Sequence, residues 1–182
     1  MNESTSEQRW FAAWWRGRGG SAFRFLLLLA AVAAVYLFQT RNLLETGAAA
    51  APPLALETLD GGRFDLHRQG DLTTLVYFFA PWCHVCAASA HNLRATRRSQ
   101  PEDELAIVLV ALDWQSVEEV RRYVEEHGLD VTTLLGDRNT AADWQVPGFP
   151  TYYVIDRERR IAHRDFGYTT EFGLWWRTRW AD

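Results

Sequence analysis

The only two cysteines of this 182-residue chain, Cys83 and Cys86, lie three positions apart. A run of apolar residues ends at Phe79, just before them, and the residues that follow are compatible with a helix. A strand that delivers a Cys-x-x-Cys pair to the start of a helix is typical of redox sites. A disulfide across so short a loop adds little stability, because the entropic gain grows with loop length. The spacing therefore indicates redox chemistry rather than a structural cross-link.

The two cysteines are predicted to have different roles. Cys83 would lie at the helix N-terminus, where unpaired backbone N–H groups and the helix dipole stabilise a thiolate, and it would attack a partner disulfide. Cys86, one turn further in, would then resolve the mixed disulfide. A protonated His84 would add positive charge beside Cys83 and make the pair more oxidising; an exposed histidine without an energetic role is the alternative. Trp82 and Val85 complete the motif.

A strongly apolar, uncharged run at residues 25–38 predicts that the rest of the chain is exported. Extended to residues 21–40, it is long enough for one transmembrane helix. Basic residues precede the run, so the positive-inside rule places the N-terminus in the cytoplasm and everything after the helix across the membrane. Residues 48–51 offer small-residue sites for a signal peptidase, but they lie about ten residues beyond the run, farther than such sites usually lie. An uncleaved anchor is therefore favoured over a cleaved signal peptide.

The remainder of the chain is divided into a tail, a linker and one domain. Residues 1–20 combine arginines with tryptophans, as in a segment on the cytoplasmic face of a membrane; a disordered tail is the alternative. Residues 41–53 contain an alanine run that ends in two prolines, and they predict a linker that holds the domain off the membrane. Residues 54–182 are long enough for one domain with a buried core. The formal charge of −4 gives no indication of nucleic-acid binding.

Changes in the spacing of apolar residues predict an α/β domain from Leu54 onwards. A hairpin is expected at residues 54–66. The predicted strands are residues 73–79, 105–112, 151–155 and 160–166, and the predicted helices are residues 84–98, 116–127, 139–144 and 169–180. This order around a Cys-x-x-Cys pair resembles the thioredoxin-like fold, a central mixed sheet flanked by helices, here preceded by one transmembrane helix.

The last predicted helix carries four aromatic residues at helical spacing, which are expected to form its core face. They are Phe172, Trp175, Trp176 and Trp180. The alternative is that they touch the membrane together with Arg177 and Arg179.

A second motif supplies the wall of the predicted site. Pro150 directly precedes the strand that starts at Thr151, and a proline at this point is expected to be cis and to lie against the cysteines. Phe149 would then present its backbone groups to an extended substrate segment. Pro147 fits by chemistry as well, but it lies farther from the strand. Asp113 and Trp114 follow another predicted strand, where they either line the site or cap the next helix.

These motifs together resemble those of membrane-anchored thioredoxin-like proteins of the TlpA/ResA type. The resemblance rests on Trp82–Cys86, Gly148–Thr151 and Val154–Asp156, and it covers the chain from about Leu54 to the C-terminus. The segments Gly167–Thr169 and Leu174–Trp176 are also similar to the ScsD branch, which is associated with suppression of copper sensitivity.

The resemblance implies a periplasmic thiol–disulfide oxidoreductase, anchored by a single helix in the bacterial inner membrane. Its partners would be exported proteins with cysteines or disulfides, and a membrane Dsb-type protein that donates or accepts electrons. The redox-active pair Cys83–Cys86 would need no other cofactor. The implied direction is reduction of clients; a disulfide oxidase or isomerase is the alternative.

Two positions depart from the relatives that the resemblance suggests. Members that act in cytochrome c maturation carry a glutamate where this chain has Ser89, and thioredoxin carries a buried acid where it has Tyr77. A dedicated cytochrome c reductant is therefore less favoured. His91 is a weak substitute for these carboxylates, and an exposed helix histidine is the better interpretation.

Metal binding is the main alternative to redox exchange. A zinc site needs four ligands, whereas this chain has one Cys-x-x-Cys pair and five scattered histidines, so no such site is predicted. Binding of Cu(I) by the two thiolates is chemically possible and would make the protein a copper-tolerance protein rather than an enzyme. That interpretation leaves Pro150 without a role.

Overall fold

The computed structural model describes residues 18–41, 43–47 and 50–181, in two compact units. The unit that ends at Arg41 contains helix α1 (Arg18–Thr40). Within α1, the stretch Ser21–Phe38 is long and apolar enough to cross a membrane, and none of it is buried. Helix α1 is therefore a candidate transmembrane span, as predicted for residues 21–40; an export signal has the same properties. The predicted tail at residues 1–20 lies almost entirely outside the described residues.

The second unit begins with a small hairpin and continues into one large sheet. The hairpin pairs β1 (Ala55–Glu57) with β2 (Arg63–Asp65), and a short 3-10 helix follows at Leu66–Arg68. The strands of the large sheet are β3 (Thr73–Phe79), β4 (Leu105–Ala111), β5 (Thr132–Leu135), β6 (Thr151–Ile155) and β7 (Ile161–Phe166). Their order is β5-β4-β3-β6-β7. The first three are parallel, and β6 and β7 are antiparallel to their neighbours, so the sheet is mixed.

Four helices complete this unit. They are α2 (His84–Ser99), α3 (Val117–Glu126), α4 (Arg138–Asp143) and α5 (Glu171–Arg179). Ala90 of α2, Val120 of α3 and Leu174 of α5 belong to one buried cluster. A second cluster contains Phe64 and, just after α4, Trp144. All seven residues of β3 are buried, and the side chains of Leu75–Phe79 alternate between the two clusters, which explains this apolar run. The predicted thioredoxin-like architecture is confirmed.

One strand of the sheet was absent from the prediction. Residues Thr132–Leu135 form β5, which pairs in parallel with β4 at the edge of the sheet. The segment has only four residues and no clear alternation, so its conformation depends on the hydrogen bonds that β4 supplies. The other predicted strands and helices are confirmed, with ends that differ by one or two residues.

The chain packs on this unit well before Leu54, the expected start of the domain. Leu43 and Ala51 are buried in the second cluster. The guanidinium of Arg164 on β7 donates to the carbonyl groups of Leu43 and Leu44. Backbone hydrogen bonds to β7 and to the preceding turn continue from Gly47 and Ala51. The described part of the expected linker is therefore docked along the edge of the sheet rather than forming a free spacer.

The prediction that four aromatic residues form the core face of α5 is wrong. The inward residues of α5 are Leu174 and Thr178, whereas the four aromatic residues are exposed. The reason lies in α2, which presents polar side chains to α5. Asn92 donates to the carbonyl group of Thr169, and Gln100 pairs with Thr178. Large aromatic rings packed against these polar groups would leave them without partners, which is costly in a buried interface.

Candidate active site

Cys83 lies between the end of β3 and the start of α2, and Cys86 lies in the first turn of α2. Strand β3 ends at Phe79, and Cys83 is the N-cap residue of α2. Its sulfur accepts a hydrogen bond from the backbone N–H of Cys86 at 3.1 Å. An N-cap sulfur receives the unpaired N–H groups and the positive end of the helix dipole, which stabilise a thiolate at this position. The placement predicted for Cys83 is confirmed.

Cys83 and Cys86 form a disulfide, with their Cα atoms 5.2 Å apart. The side chain of Cys83 is 6% exposed to solvent, and Cys86 is completely buried. An incoming sulfur can therefore approach Cys83 but not Cys86 without rearrangement. This difference is consistent with Cys83 as the attacking cysteine and Cys86 as the resolving one.

The exposed side chains beside Cys83 are mostly apolar. Trp82, His84 and Val85 are all exposed. The ring of Trp82 packs edge-on against Phe149, with the ring centres 5.8 Å apart. Its indole N–H donates to the backbone carbonyl of Asp113 at 3.1 Å. Trp82 thus joins three loops: the turn before α2, the loop before β6 and the loop after β4.

Asp113 contributes to this arrangement through its backbone, a contact that sequence patterns do not reveal. Its φ of 51° lies in the left-handed region, which turns the chain sharply after β4. The neighbouring Trp114 instead donates its indole N–H to the carbonyl of Gly136. Ser116, rather than either residue, caps α3. The backbone of Asp113 therefore lines the site, whereas Trp114 makes no hydrogen bond to it. Neither residue caps α3.

The peptide bond between Phe149 and Pro150 is cis, and no other cis bond occurs in the part of the chain that the structure describes. Pro150, rather than Pro147, therefore carries the cis bond. The carbonyl of Pro150 accepts from the backbone N–H of Gly167, which fixes this loop to the end of β7. The backbone N–H and C=O of Phe149 make no hydrogen bond to any described residue.

Two buried polar side chains lie behind the disulfide. Ser89 is fully buried one turn after Cys86, and its hydroxyl donates to the carbonyl of Val85 at 3.0 Å. Tyr77 is buried as well, and among the described residues its hydroxyl oxygen has no hydrogen-bond partner. Burial raises the pKa of Tyr77 well above the ordinary tyrosine range. Its hydroxyl therefore stays protonated at neutral pH and cannot take the proton of Cys86.

His91 does not replace the missing carboxylates. It is exposed on α2, and its Nδ1 atom lies 2.8 Å from the carbonyl oxygen of Ala88. The interpretation as an exposed helix histidine is therefore confirmed. Neither position 77 nor position 89 carries an acidic side chain that could take a proton from Cys86.

Residues that could hold a metal ion are not clustered. Within residues 18–41, 43–47 and 50–181, no group of three or more histidine, cysteine, aspartate or glutamate side chains has suitable geometry. The two sulfur atoms are the only soft ligands that the site offers.

Comparisons with known proteins agree with this geometry. Residues 48–164 match the model of the AhpC/TSA family. The chain is 27% identical to the thioredoxin-like protein YneN of Bacillus subtilis over 153 residues, which cover 80% of this chain and 88% of that protein. It is 28% identical to the thiol:disulfide interchange protein HelX of Rhodobacter capsulatus over 126 residues, or 66% of this chain and 68% of HelX.

Solved structures share the fold at low sequence identity. A thiol:disulfide interchange protein of Chlorobium tepidum superimposes with a TM-score of 0.68 at 19% identity, covering 76% of this chain and 99% of that one. A DsbF homologue of Corynebacterium diphtheriae superimposes with a TM-score of 0.66 at 20% identity, covering 74% and 88%. The family match spans the cysteine pair, the loop before β6 and most of the sheet. The chain therefore belongs to the AhpC/TSA family and has a thioredoxin-like α/β fold.

Proposed function

We propose that this protein is a thiol–disulfide oxidoreductase that exchanges its Cys83–Cys86 pair with cysteines of exported proteins. The observation that carries the proposal is a disulfide at the start of α2 in which Cys83, the N-cap residue, is 6% exposed and Cys86 is not exposed at all. The names of its relatives YneN and HelX support the same chemistry.

In the reductive direction, the Cys83 thiolate attacks one sulfur of a client disulfide. A Cys83–client disulfide forms, and the released client thiolate takes up a proton. The Cys86 thiolate then attacks the sulfur of Cys83, which releases the second client thiolate and forms the Cys83–Cys86 disulfide. Two electrons pass to the client. The same steps in reverse oxidise a client dithiol.

The loop before β6 is proposed to hold the client during the exchange. The unbonded backbone groups of Phe149 can pair with an extended client segment next to Pro150, as in strand addition to an exposed edge. The exposed rings and methyl groups of Trp82 and Val85 offer apolar contacts on the other side of Cys83. Such a binding surface recognises the backbone of the client rather than a particular side chain. It can therefore accept clients of different sequence.

The protein is proposed to reside in the bacterial inner membrane, with helix α1 as a single-pass anchor and the redox domain in the periplasm. The support is the apolar span Ser21–Phe38 and the need of disulfide chemistry for an oxidising compartment. The resemblance to TlpA/ResA-type proteins, and to the ScsD branch among them, favours a reductase supplied with electrons by a membrane Dsb-type partner.

Trapping of mixed disulfides tests the exchange reaction. In the full-length Cys86→Ser variant, Cys83 can still attack a client but no residue resolves the adduct. After free thiols are blocked, adducts should appear on a non-reducing gel and disappear when the sample is reduced. The matched control is the Cys83→Ser/Cys86→Ser variant, which should form none. If Cys86→Ser forms no adduct while the wild-type protein binds one copper ion per chain, the copper-binding interpretation replaces this proposal.

The direction of electron flow needs a separate measurement. Alkylation of the cysteines in intact cells, followed by a mobility-shift gel, reports the resting redox state. A reductase that is supplied with electrons should be mainly reduced. A mainly oxidised pair in the wild-type cell would contradict the reductive direction and favour an oxidase.

A further inference from the structure

Tyr168 presents a large aromatic ring to solvent shortly after the end of β7. The residue is 54% exposed, although its hydroxyl group is bonded to the domain. The side-chain N–H of Asn92 on α2 donates to this hydroxyl at 3.1 Å. Because the hydroxyl is held, the ring keeps a fixed orientation, and its apolar surface stays available for a contact.

The residues before Tyr168 are fixed to the loop before β6. The backbone N–H of Gly167 donates to the carbonyl of Pro150 at 2.8 Å. A Cβ atom on Gly148 would lie 3.2 Å from the ring of Phe166, so this ring packs closely against the same loop. Gly167 has a φ of 93°, a conformation that glycine adopts without strain. Tyr168 therefore follows a turn that is held against the cis proline.

The ring of Tyr168 connects this turn with an exposed part of α2. Its hydroxyl lies at Asn92, and Ala88 is exposed on α2 four residues earlier. Val85 is exposed three residues before Ala88. Residues three or four positions apart are neighbours on a helix surface. Val85, Ala88 and Tyr168 are termed the apolar strip, which leads from the start of α2 to the turn after β7.

The position of Tyr168 distinguishes it from an ordinary surface tyrosine. Single exposed aromatic residues are common on proteins and carry no meaning by themselves. Tyr168, however, is held at its hydroxyl by α2 and through Gly167 by Pro150. A client segment that pairs with the backbone of Phe149 would lie beside Pro150 as well. Client side chains that flank the reactive cysteine can therefore reach the ring.

We propose that the apolar strip, and above all the ring of Tyr168, selects clients with an apolar side chain next to the reactive cysteine, a role that rests on the exchange reaction proposed above. The three side chains of the strip carry no charge, so the contact favours apolar rather than charged client residues. Pairing with Phe149 accepts any client backbone, and the strip adds a preference among client sequences.

The preference should be moderate and should arise from binding. One client side chain covers only part of the ring, and burial of roughly 40 Å² of apolar surface strengthens association about fivefold. The hydroxyl of Tyr168 is already bonded to Asn92, so the ring rather than the hydroxyl makes the contact. The rate of attack by Cys83 on a bound client should not depend on this contact.

The kinetics of a single disulfide exchange test the preference. The full-length protein in phosphatidylcholine nanodiscs is reduced, freed of reductant and mixed with peptides whose single cysteine forms a mixed disulfide with thionitrobenzoate. Attack by the Cys83 thiolate on the peptide sulfur forms a Cys83–peptide disulfide and releases the coloured thionitrobenzoate anion, which reports the rate. One peptide has leucine on both sides of its cysteine, and the other has serine.

The wild-type protein should react about fivefold faster with the leucine peptide when the peptide is dilute. At saturating peptide the two rates should converge, because the difference lies in the apparent Kd. This split between affinity and maximal rate separates a binding contact from an effect on the cysteine pair.

Three variants locate the preference on the ring. Tyr168→Gln removes the ring and should reduce the preference to less than about twofold. Tyr168→Phe keeps the ring and loses only the bond to Asn92, so it should retain the preference. Phe172→Gln is the matched control and should retain it as well. Phe172 is more exposed than Tyr168, at 70%, but its ring contacts Trp175 and Trp176 on α5.

The outcomes distinguish the role of Tyr168 from the exchange reaction. Equal rates for the two peptides in the wild-type protein, or an undiminished preference in Tyr168→Gln, would contradict selection by the ring. Equal slowing of both peptides in Tyr168→Gln would also contradict it, because a displaced loop rather than a lost contact gives that result. If the wild-type protein releases thionitrobenzoate no faster than Cys83→Ser/Cys86→Ser, the exchange reaction itself fails, and selection by the strip fails with it.

Discussion

The difference between Cys83 and Cys86 arises from one helix turn. Cys83 precedes the first helical residue, where its sulfur takes a backbone hydrogen bond, while Cys86 is carried into the interior by the first turn of α2. Neighbouring side chains modify this arrangement rather than create it. His84 is exposed beside Cys83, and Tyr77 is buried behind the pair.

His84→Ala is expected to make the cysteine pair more reducing. A positive charge beside Cys83 stabilises its thiolate and hence the reduced form, so its removal lowers the reduction potential. For an exposed side chain we expect less than about 30 mV, a tenfold change in the equilibrium constant. Equilibration with glutathione measures the potential. His91→Ala, on the same helix, should change nothing. An unchanged or raised potential in His84→Ala would contradict the idea that His84 stabilises the Cys83 thiolate.

Tyr77→Phe is expected to leave stability unchanged or to raise it slightly. The Tyr77 hydroxyl has no hydrogen-bond partner among the described residues, so its burial costs free energy that phenylalanine avoids. Tyr152→Phe is the matched control, because the Tyr152 hydroxyl binds Asp165 and Thr169. We expect a loss of about 1 to 2 kcal/mol there. Urea unfolding measures both. An equal loss in Tyr77→Phe would show that its hydroxyl is bonded, with the buried Ser89 as the nearby candidate.

At the scale of elements, most strands and helices were predictable because their sequence patterns are local. Strand β3 contains the apolar run Leu75–Phe79, and α3 is capped by Ser116, whose side chain accepts from the N–H of Glu119. Strand β5 was missed because its sequence does not distinguish a strand from a loop, and pairing with β4 determines its conformation. The face of α5 was wrong because its inward side depends on the polar residues of α2.

Gly136→Ala is expected to destabilise the junction between β5 and α4. A Cβ atom at Gly136 would lie 2.8 Å from Leu112 and 2.9 Å from Val110, both closer than side chains tolerate. Such overpacking costs about 1 to 3 kcal/mol. Gly70→Ala is the matched control, because no atom lies within 4 Å of its Cβ position. The difference in unfolding midpoint between the two variants is the measurement. Equal midpoints would show that the junction relaxes without cost.

At the scale of the whole molecule, four tyrosines are buried in the described part of the core. Burial raises the pKa of Tyr77, Tyr123 and Tyr152 well above the ordinary range, and that of Tyr153 to about 12. Two of these hydroxyl groups form hydrogen bonds to other elements of the fold. Tyr153 donates to the carbonyl of Trp144, and Tyr152 binds Asp165 and Thr169.

The free energy of unfolding is expected to fall steeply above pH 10. Tyrosines of the unfolded chain lose their protons near pH 10, whereas the buried ones keep theirs, so the folded state binds more protons and a rising pH favours unfolding. Each buried tyrosine contributes up to about 1.4 kcal/mol per pH unit until its own pKa is reached. Urea unfolding between pH 8 and 11 measures the slope. A constant free energy across this range would contradict burial of these hydroxyl groups.

The sequence by itself determined the elements of the redox site. The cysteine spacing, the proline before β6 and the apolar span of α1 are local patterns, and each has a physical meaning that does not depend on distant residues. The cis bond at Pro150 and the position of Cys83 at a helix start followed from these patterns. The catalytic roles and the membrane location stay predictions.

Only the tertiary structure decided which surfaces are buried and which are free. The docking of Leu43 and Leu44 on β7 depends on Arg164, more than a hundred positions away along the chain. The bond from Trp82 to the carbonyl of Asp113 depends on how the ends of β3 and β4 meet. The aromatic residues of α5 are as apolar as any core residue, and they remain outside because α5 turns Leu174 and Thr178 inward, where Thr178 pairs with Gln100. Periodicity reports that a helix has an apolar side, but the neighbouring element determines whether that side faces the core.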